Sequence, residues 1–314
     1  MGDEGADAST GVLGSLERQG VSGRVIDGIA RFRREHPTPE GLAGRVPRTS
    51  GRYLGRRVWE QAATALLCGC NLLLCGPKAT GKNVLARDLA CAFGRPQWDV
   101  SFHIDMDAST MIGTDTYADG RVSFRPGPIA RCAELGGFGV LDEINMARSE
   151  ALAVLHATLD FRRTIDVPGY DLIRLDDATR FIATMNVGYA GTRELNDALV
   201  SRFVVVDMPA LDVDGLRDLL LQEHPDLTPE AAHQLAELFC EIRSKCSAGE
   251  ISEKALDLRG LIDSVALMRA GLPPVEALEV CLVNKTFDEY ERGLVSDVIA
   301  ARIPRSVKRG RLFV

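Results

Sequence analysis

Between Cys75 and Asn83 the chain reads CGPKATGKN, with Gly76, Gly81 and Lys82 at the spacing GxxxxGK. That spacing suits phosphate. The glycines let successive backbone N–H groups turn toward one anion, a following helix N-terminus adds partial positive charge, and the lysine ammonium offsets the β and γ phosphates. Gly76, Pro77, Lys78, Ala79, Thr80, Gly81, Lys82, Asn83 and Val84 are therefore the candidate nucleotide-binding residues. Asn83 stands where a Ser or Thr hydroxyl would serve Mg²⁺, and its carboxamide oxygen is a longer, differently aimed ligand. Nucleotide binding is expected to survive that change better than hydrolysis.

Two later stretches supply acids and an amide. Gly139-Val140-Leu141-Asp142-Glu143 is an apolar run ending in adjacent carboxylates. An aspartate at such a strand end can hold the Mg²⁺ shell, and the next glutamate can orient and deprotonate an attacking water. Side by side without a cation, the two would repel. Phe181-Ile182-Ala183-Thr184-Met185-Asn186 is another apolar strand, and its terminal Asn186 can hydrogen-bond that water or the γ phosphate.

These groups need a scaffold that brings three strand ends together. Leu72 to Cys75 reads as a buried parallel strand, and Val84 to Ala92 has helical periodicity. From Leu54 to Met208 short apolar runs alternate with helical ones, which predicts a parallel sheet flanked by helices with right-handed crossovers. After Pro209 helical spacing dominates, interrupted at Pro225, Pro229 and Pro273-Pro274, as in a helical lid. The expected class is α/β: residues 1–50 as a flexible segment, a helix over Val12 to Glu35 and a Pro/Gly-rich linker; 51–209 as the nucleotide-binding domain; 210–314 as a helical lid with a basic tail. Everything before Val12 is expected to be disordered. Two inserts, Thr114 to Phe124 with a turn at Ala118-Asp119-Gly120 and Ile165 to Leu175 with Pro168-Gly169 at its tip, should form hairpins.

Two arginines have structural readings of their own. Arg202 lies between the amphipathic stretch Glu194 to Val200 and the apolar strand Phe203 to Val206, where a cation caps a helix C-terminus. Arg259, among Leu256, Leu258, Leu261 and Ile262, can snorkel from an apolar helix face.

Composition narrows the class. No apolar run approaches the roughly 20 residues that span a bilayer, and the N-terminal MGDEGADAST is acidic where a signal peptide is basic, so a cytoplasmic location is expected. The cysteines at 68, 70, 75, 91, 132, 240, 246 and 281 form no CxxC pair and mostly lie in apolar runs, so they read as reduced core residues. A net charge of -7 argues against a nucleic-acid partner. The tail, with Arg302, Arg305, Lys308, Arg309 and Arg311, is a solvated end or a dock for an acidic neighbour.

From Tyr53 to Gly271 the chain resembles the MoxR and dynein-related branch of the AAA+ ATPases, which includes the NorQ, CbbQ and gas-vesicle GvpN activators. The resemblance is carried by LDEINMARSEALAVLHATLDFRRTIDVPG at 141–169, FIATMNVGYAGTRELNDALVSRF at 181–203 and DGRVSFRPGPIARC at 119–132. It implies a P-loop AAA+ core with a Walker A loop at Gly76 to Asn83, Walker B acids Asp142 and Glu143, and Asn186 as a sensor. It further implies Arg202 as the finger that enters the neighbouring subunit's site, and Arg259 as the lid's second sensor. ATP and Mg²⁺, with Asn83 and Asp142 on the metal, are the implied cofactors, and a hexameric ring acting on a protein client, in similar systems often a von Willebrand factor A domain protein, is the implied assembly. In this family Gly usually stands at Ala79, so alanine there asks the loop to keep its shape without glycine's freedom. Other readings stay open: a nucleotide-dependent scaffold that barely hydrolyses, supported by Asn83, or a GTP-using, McrB-like motor subunit acting with a nuclease.

Overall fold

The computed structural model describes residues 4–48, 53–118, 120–187, 194–304 and 309–314. In chain order these form α1 (Glu4–Arg18), α2 (Gly23–Glu35), α3 (Arg56–Leu67), β1 (Asn71–Gly76), α4 (Lys82–Ala92), β2 (Gln97–Ser101) and α5 (Ala108–Ile112). Then come β3 (Gly113–Ala118), β4 (Arg121–Pro126), α6 (Pro128–Glu134), β5 (Phe138–Asp142), α7 (Ser149–Leu152), α8 (Leu155–Leu159), β6 (Thr164–Ile165) and β7 (Ile173–Arg174). The rest are β8 (Arg180–Asn186), α9 (Asp197–Val200), β9 (Phe203–Asp207), α10 (Val213–Glu223), α11 (Pro229–Ser247), α12 (Leu258–Ala270), α13 (Pro274–Cys281) and α14 (Glu289–Arg302). Two compact units result, one of Met1–Pro77 with Gly81–Met208, the other of Lys78–Thr80 with Pro209–Val314.

The first unit is built on a five-stranded parallel sheet in the order β2-β5-β8-β1-β9. Strands covered on both faces read as continuous apolar runs, and the side-chain period of two decides which layer each residue joins. Leu72, Leu74, Val140 and Ile182 pack with the layer that holds α1 to α4, whereas Leu73, Leu141 and Ala183 pack with the layer of α5 to α8. Because all five strands run the same way, the ends of β1, β5 and β8 lie at one edge of the sheet, where ligands of open α/β sheets bind.

The N-terminal segment departs from expectation. Residues from Glu4 are helical where disorder was expected, and the helix expected over Val12 to Glu35 breaks between Arg18 and Gly23. The break lets both pieces bury apolar stripes in one core: Val12 and Leu16 from α1, and Val25, Ile26, Ile29 and Phe32 from α2. The Pro/Gly-rich stretch that follows is tied down. Arg95, itself buried, donates to the carbonyls of His36 (2.8 Å) and Pro37 (3.1 Å), and Thr38 donates to the Gly94 carbonyl at 2.8 Å.

Both expected hairpins form: β3 pairs with β4 from Gly113↔Pro126 to Ala118↔Arg121, and β6 pairs with β7. Asp119 in the first turn lies outside the described residues. The hairpins touch, since the Tyr170 hydroxyl donates to Asp115 at 2.8 Å and the Tyr170 and Phe124 rings are 5.3 Å apart. The helical stretch expected over Glu194 to Val200 is shorter, beginning at Asp197, because the Asn196 side chain accepts from the Leu199 N–H and caps it there.

The second unit is helical, α10 to α14 around a core of its own. Asp212, Thr228 and Asp288 cap α10, α11 and α14 by accepting backbone N–H groups, and Pro229 occupies the first turn of α11. In the basic tail, Arg302 donates to Glu241 and Glu237 at 2.8 and 2.9 Å, so it is engaged within the chain, while Arg305 and Lys308 lie outside the described residues, as does the Arg309 side chain. Among the described residues the eight cysteines form no disulfide. Cys91, Cys132 and Cys281 are buried and Cys68 is exposed. No described helix is long and apolar enough to cross a membrane.

Candidate functional site

The phosphate loop leaves β1 at Gly76, whose Cα is so near the Met208 carbonyl that a Cβ would lie 2.4 Å from the oxygen. Any side chain there would force the loop off the sheet. The loop closes at Gly81, with φ 81°, which opens α4. Ala79 has φ 62°, so the position that lacks glycine's freedom is one that requires left-handed backbone. For an alanine that conformation costs roughly 1–2 kcal/mol.

Lys82 is buried and donates to the carbonyls of Gly76 (2.9 Å) and Pro77 (2.7 Å). Burial pushes its ammonium down to about 8, against the opposing pull of Cys75, Asp142 and Glu143. A buried ammonium facing two carboxylates is poised to gain from a phosphate anion, which would restore its full charge.

At the other strand ends the acids are joined by hydrogen bonds. Asn83 Nδ2 donates to Asp142 Oδ2 at 3.0 Å, and the Thr184 hydroxyl donates to Asp142 Oδ1 at 2.6 Å. Thr184 Oγ1 also accepts the Glu143 backbone N–H at 3.0 Å, and Asn186 Nδ2 donates to Glu143 Oε1 at 3.1 Å. Glu143 itself is left-handed, at φ 54° and ψ 44°, as the chain turns out of β5. Strain of this kind persists where the surroundings over-determine a conformation, and it clusters at functional sites. Behind this row Asn145, 2% exposed, donates Nδ2 to the Asn186 carbonyl at 3.2 Å, while its Oδ1 finds no hydrogen-bond partner among the described residues.

Among the described residues no three His, Cys, Asp or Glu side chains converge as a metal cage. The exposed Asn83 beside Asp142 fits a hard cation only if phosphate oxygens and water complete its shell, which is the usual arrangement for Mg²⁺. Asn83 and Asp142 would hold such an ion, whose chemistry is to neutralise charge on the phosphates.

The first unit thus brings Lys82, Asn83, Asp142, Glu143 and Asn186 together. Arg202 is placed elsewhere on its surface. Its Nε donates to the His156 carbonyl at 3.1 Å, its Nη1 to the Ala198 carbonyl, and its Nη2 lies 3.5 Å from Asp160. The Ala198 contact is the helix-capping role that Arg202 was read to have from sequence. Asp160 is held down to about 2, chiefly by the hydrogen bond from Arg162. Arg259 is exposed in the first turn of α12, in the second unit.

Sequence reading missed Thr184 and Asn145. Thr184 carried a signal: it lies two residues before Asn186 in an otherwise apolar strand, hence on the same face. Asn145 carried none, because an amide in a short turn after two acids looks like any polar turn residue.

Residues 71–203 match the AAA domain of the dynein-related subfamily. The uncharacterized protein YojN of Bacillus subtilis is 33% identical over 242 residues, covering 76% of this chain and 79% of YojN. The uncharacterized protein SH1500 of Staphylococcus haemolyticus is 32% identical over 248 residues, covering 77% of this chain and 94% of its own length. Among solved structures, a RuvB mutant from Thermotoga maritima aligns with a TM-score of 0.52 over 81% of this chain and 79% of that one, at 16% identity. At that identity the likeness is one of fold.

Proposed function

The chain belongs to the dynein-related AAA family, and from that premise we propose that it is a ring-forming, Mg²⁺-dependent ATPase that remodels or activates a partner protein. The observation that carries the reading is the hydrogen-bonded row from Asn83 through Asp142, Thr184 and Glu143 to Asn186, set beside a phosphate loop whose lysine is buried. Lys82 and the loop N–H groups bind the phosphates, with Asp142 and Asn83 on the metal side. Glu143, held by Asn186, accepts the proton of the attacking water, and Asn186 keeps that carboxylate aimed. Mg²⁺, when bound, spreads the charge that develops on the transferred phosphoryl group.

Arg202 enters this scheme through a neighbour. Its partners His156, Asp160 and Ala198 are none of them loop residues, so it supports catalysis by reaching another subunit's nucleotide in a ring, for which we propose six subunits. Arg259 is assigned to the lid side of the nucleotide by the family resemblance alone. The touching hairpins β3–β4 and β6–β7 are the proposed client-facing surface, with MoxR-like activators as the model and a von Willebrand factor A domain protein as the client class.

Calorimetric titration of ATP and GTP beside steady-state hydrolysis, each over a range of protein concentrations, tests this. Binding that is lost in Lys82→Ala, with specific activity rising as protein concentration rises, is the expected result. Binding without turnover at any concentration would favour the scaffold reading, which Asn83 supports. Unchanged affinity in Lys82→Ala would remove the nucleotide site itself.

A further inference from the structure

Thr184 is buried in the middle of the sheet, 1% exposed, yet among the described residues it carries the one hydroxyl that touches both acids of the site. Its bonding is unambiguous. The Glu143 backbone N–H can only donate, so it takes an Oγ1 lone pair, and the hydroxyl hydrogen must go to the Asp142 carboxylate. At 2.6 Å the bond to Asp142 Oδ1 is a short, charge-assisted one. The other carboxylate oxygen, Oδ2, is taken by Asn83 at 3.0 Å. Glu143 is left-handed where the Thr184 hydroxyl receives its N–H, and its carboxylate is held by Asn186 two residues along the same strand face.

We propose that Thr184 is the positioning residue of the hydrolytic site, its single hydroxyl fixing the angle between the metal-side acid Asp142 and the base Glu143. This rests on the ATPase reading above. Without the hydroxyl, the Glu143 N–H loses its acceptor, and one oxygen of Asp142 loses its donor. Among the described residues, the left-handed turn that aims Glu143 then has the side-chain bond to Asn186 and the carbonyl of Glu143, which accepts the Met146 N–H at 2.8 Å, to hold it. Misplacement of a catalytic group by about 1 Å is worth roughly 10²-fold in rate. Phosphate binding, which depends on the loop and Lys82, is not touched by the change.

Valine is the informative replacement, because it keeps the size and β-branching of threonine and removes only the hydroxyl. Thr184→Val, Thr184→Ser and the unmutated chain are compared for cooperative melting, ATP affinity by calorimetry, and kcat and KM for ATP. The expected result is that Thr184→Val melts cooperatively and binds ATP within twofold of the unmutated chain, with kcat lowered about 10-fold to 10²-fold and KM little changed. Thr184→Ser, which restores the hydroxyl, should return kcat to within about threefold of the unmutated value. Turnover of Thr184→Val within twofold of the unmutated chain would overturn the proposal, and so would equal losses in valine and serine, which would assign the effect to packing of the methyl group. If Thr184→Val does not melt cooperatively, Thr184→Cys takes its place: a thiol is a weak donor of similar size, and turnover equal to that of the serine variant overturns the assignment. Absence of turnover in the unmutated chain is read before any variant, and it ends the ATPase reading and this one together.

Discussion

The row of acids and amides at the strand ends and the corner that holds Arg202 are both tied by hydrogen bonds, but to opposite effect. In the row, Asn83, Thr184 and Asn186 hold Asp142 and Glu143 beside the loop that would carry phosphate, over bonds of 2.6 to 3.1 Å. In the corner, Arg202 is bound to its own helix end and to Asp160. A group assembled within one chain can act where it stands. A cation occupied by its own surroundings can act on phosphate only by exchanging them for a stronger anion, and that exchange is natural at a boundary with a second copy. On the proposed ring reading, one region is finished by folding and the other by assembly.

Removing the arginine is the strongest test of this contrast. Arg202→Ala should lower kcat by about 10³-fold or more while leaving ATP affinity unchanged, since fingers of this kind are worth roughly 10³ to 10⁵ in rate. Steady-state hydrolysis beside calorimetry reads both quantities, and turnover that survives the substitution would leave Arg202 as a helix cap only. Glu143→Gln tests the other side: the amide keeps the shape and loses the base, so turnover should fall by about 10²-fold or more with ATP still bound. A larger loss of binding than of turnover would break the division between a row that does chemistry and a loop that binds.

A smaller effect sharpens the account of the loop. Lys82 is depressed to about 8 by burial, so in the empty site it is charged below that pH and increasingly neutral above it. Nucleotide needs the charged form, so ATP affinity should hold steady below about pH 7 and fall about fivefold between pH 8 and pH 9, with proton uptake seen as a dependence of the calorimetric enthalpy on buffer ionisation. Affinity that is flat from pH 7 to 9.5 would show that the phosphates do not meet this ammonium.

The smallest effect concerns Ala79. Its left-handed backbone costs roughly 1–2 kcal/mol. Ala79→Gly relieves that strain but loosens the unfolded chain, by about 0.4–1 kcal/mol. The net gain should be about 1 kcal/mol or less, read as a rise of a few degrees at most in a melting scan. A fall in melting temperature would mean that the alanine methyl contributes more by packing than its backbone costs.

Much of the site is legible along the chain because its motifs are local. GxxxxGK is a loop signal over seven residues, two acids at the end of an apolar run announce a strand terminus, and the period of two puts Thr184 on the face of Asn186. The family resemblance, in which glycine usually stands at Ala79, flagged that position, and its backbone is left-handed. The N-terminal residues were misread for a physical reason. Polar, acidic composition before Val12 argues for disorder, but Val12 and Leu16 are anchored in the core, and a helix once nucleated extends cheaply toward its end.

The sequence by itself determined which residues could cradle phosphate, which carboxylates stand at strand ends, and where strands give way to helices, because each of these is encoded within a few residues of itself. Only the tertiary structure decided that Thr184 meets Asp142, that Asn83 spends its amide on the same carboxylate, and that Arg202 turns to Asp160. Those contacts join residues 42, 59 and 42 positions apart. Periodicity says which face a side chain occupies but not which strand lies beside it, and the neighbour is set by the sheet order β2-β5-β8-β1-β9 and its register, which exist only once the chain has folded.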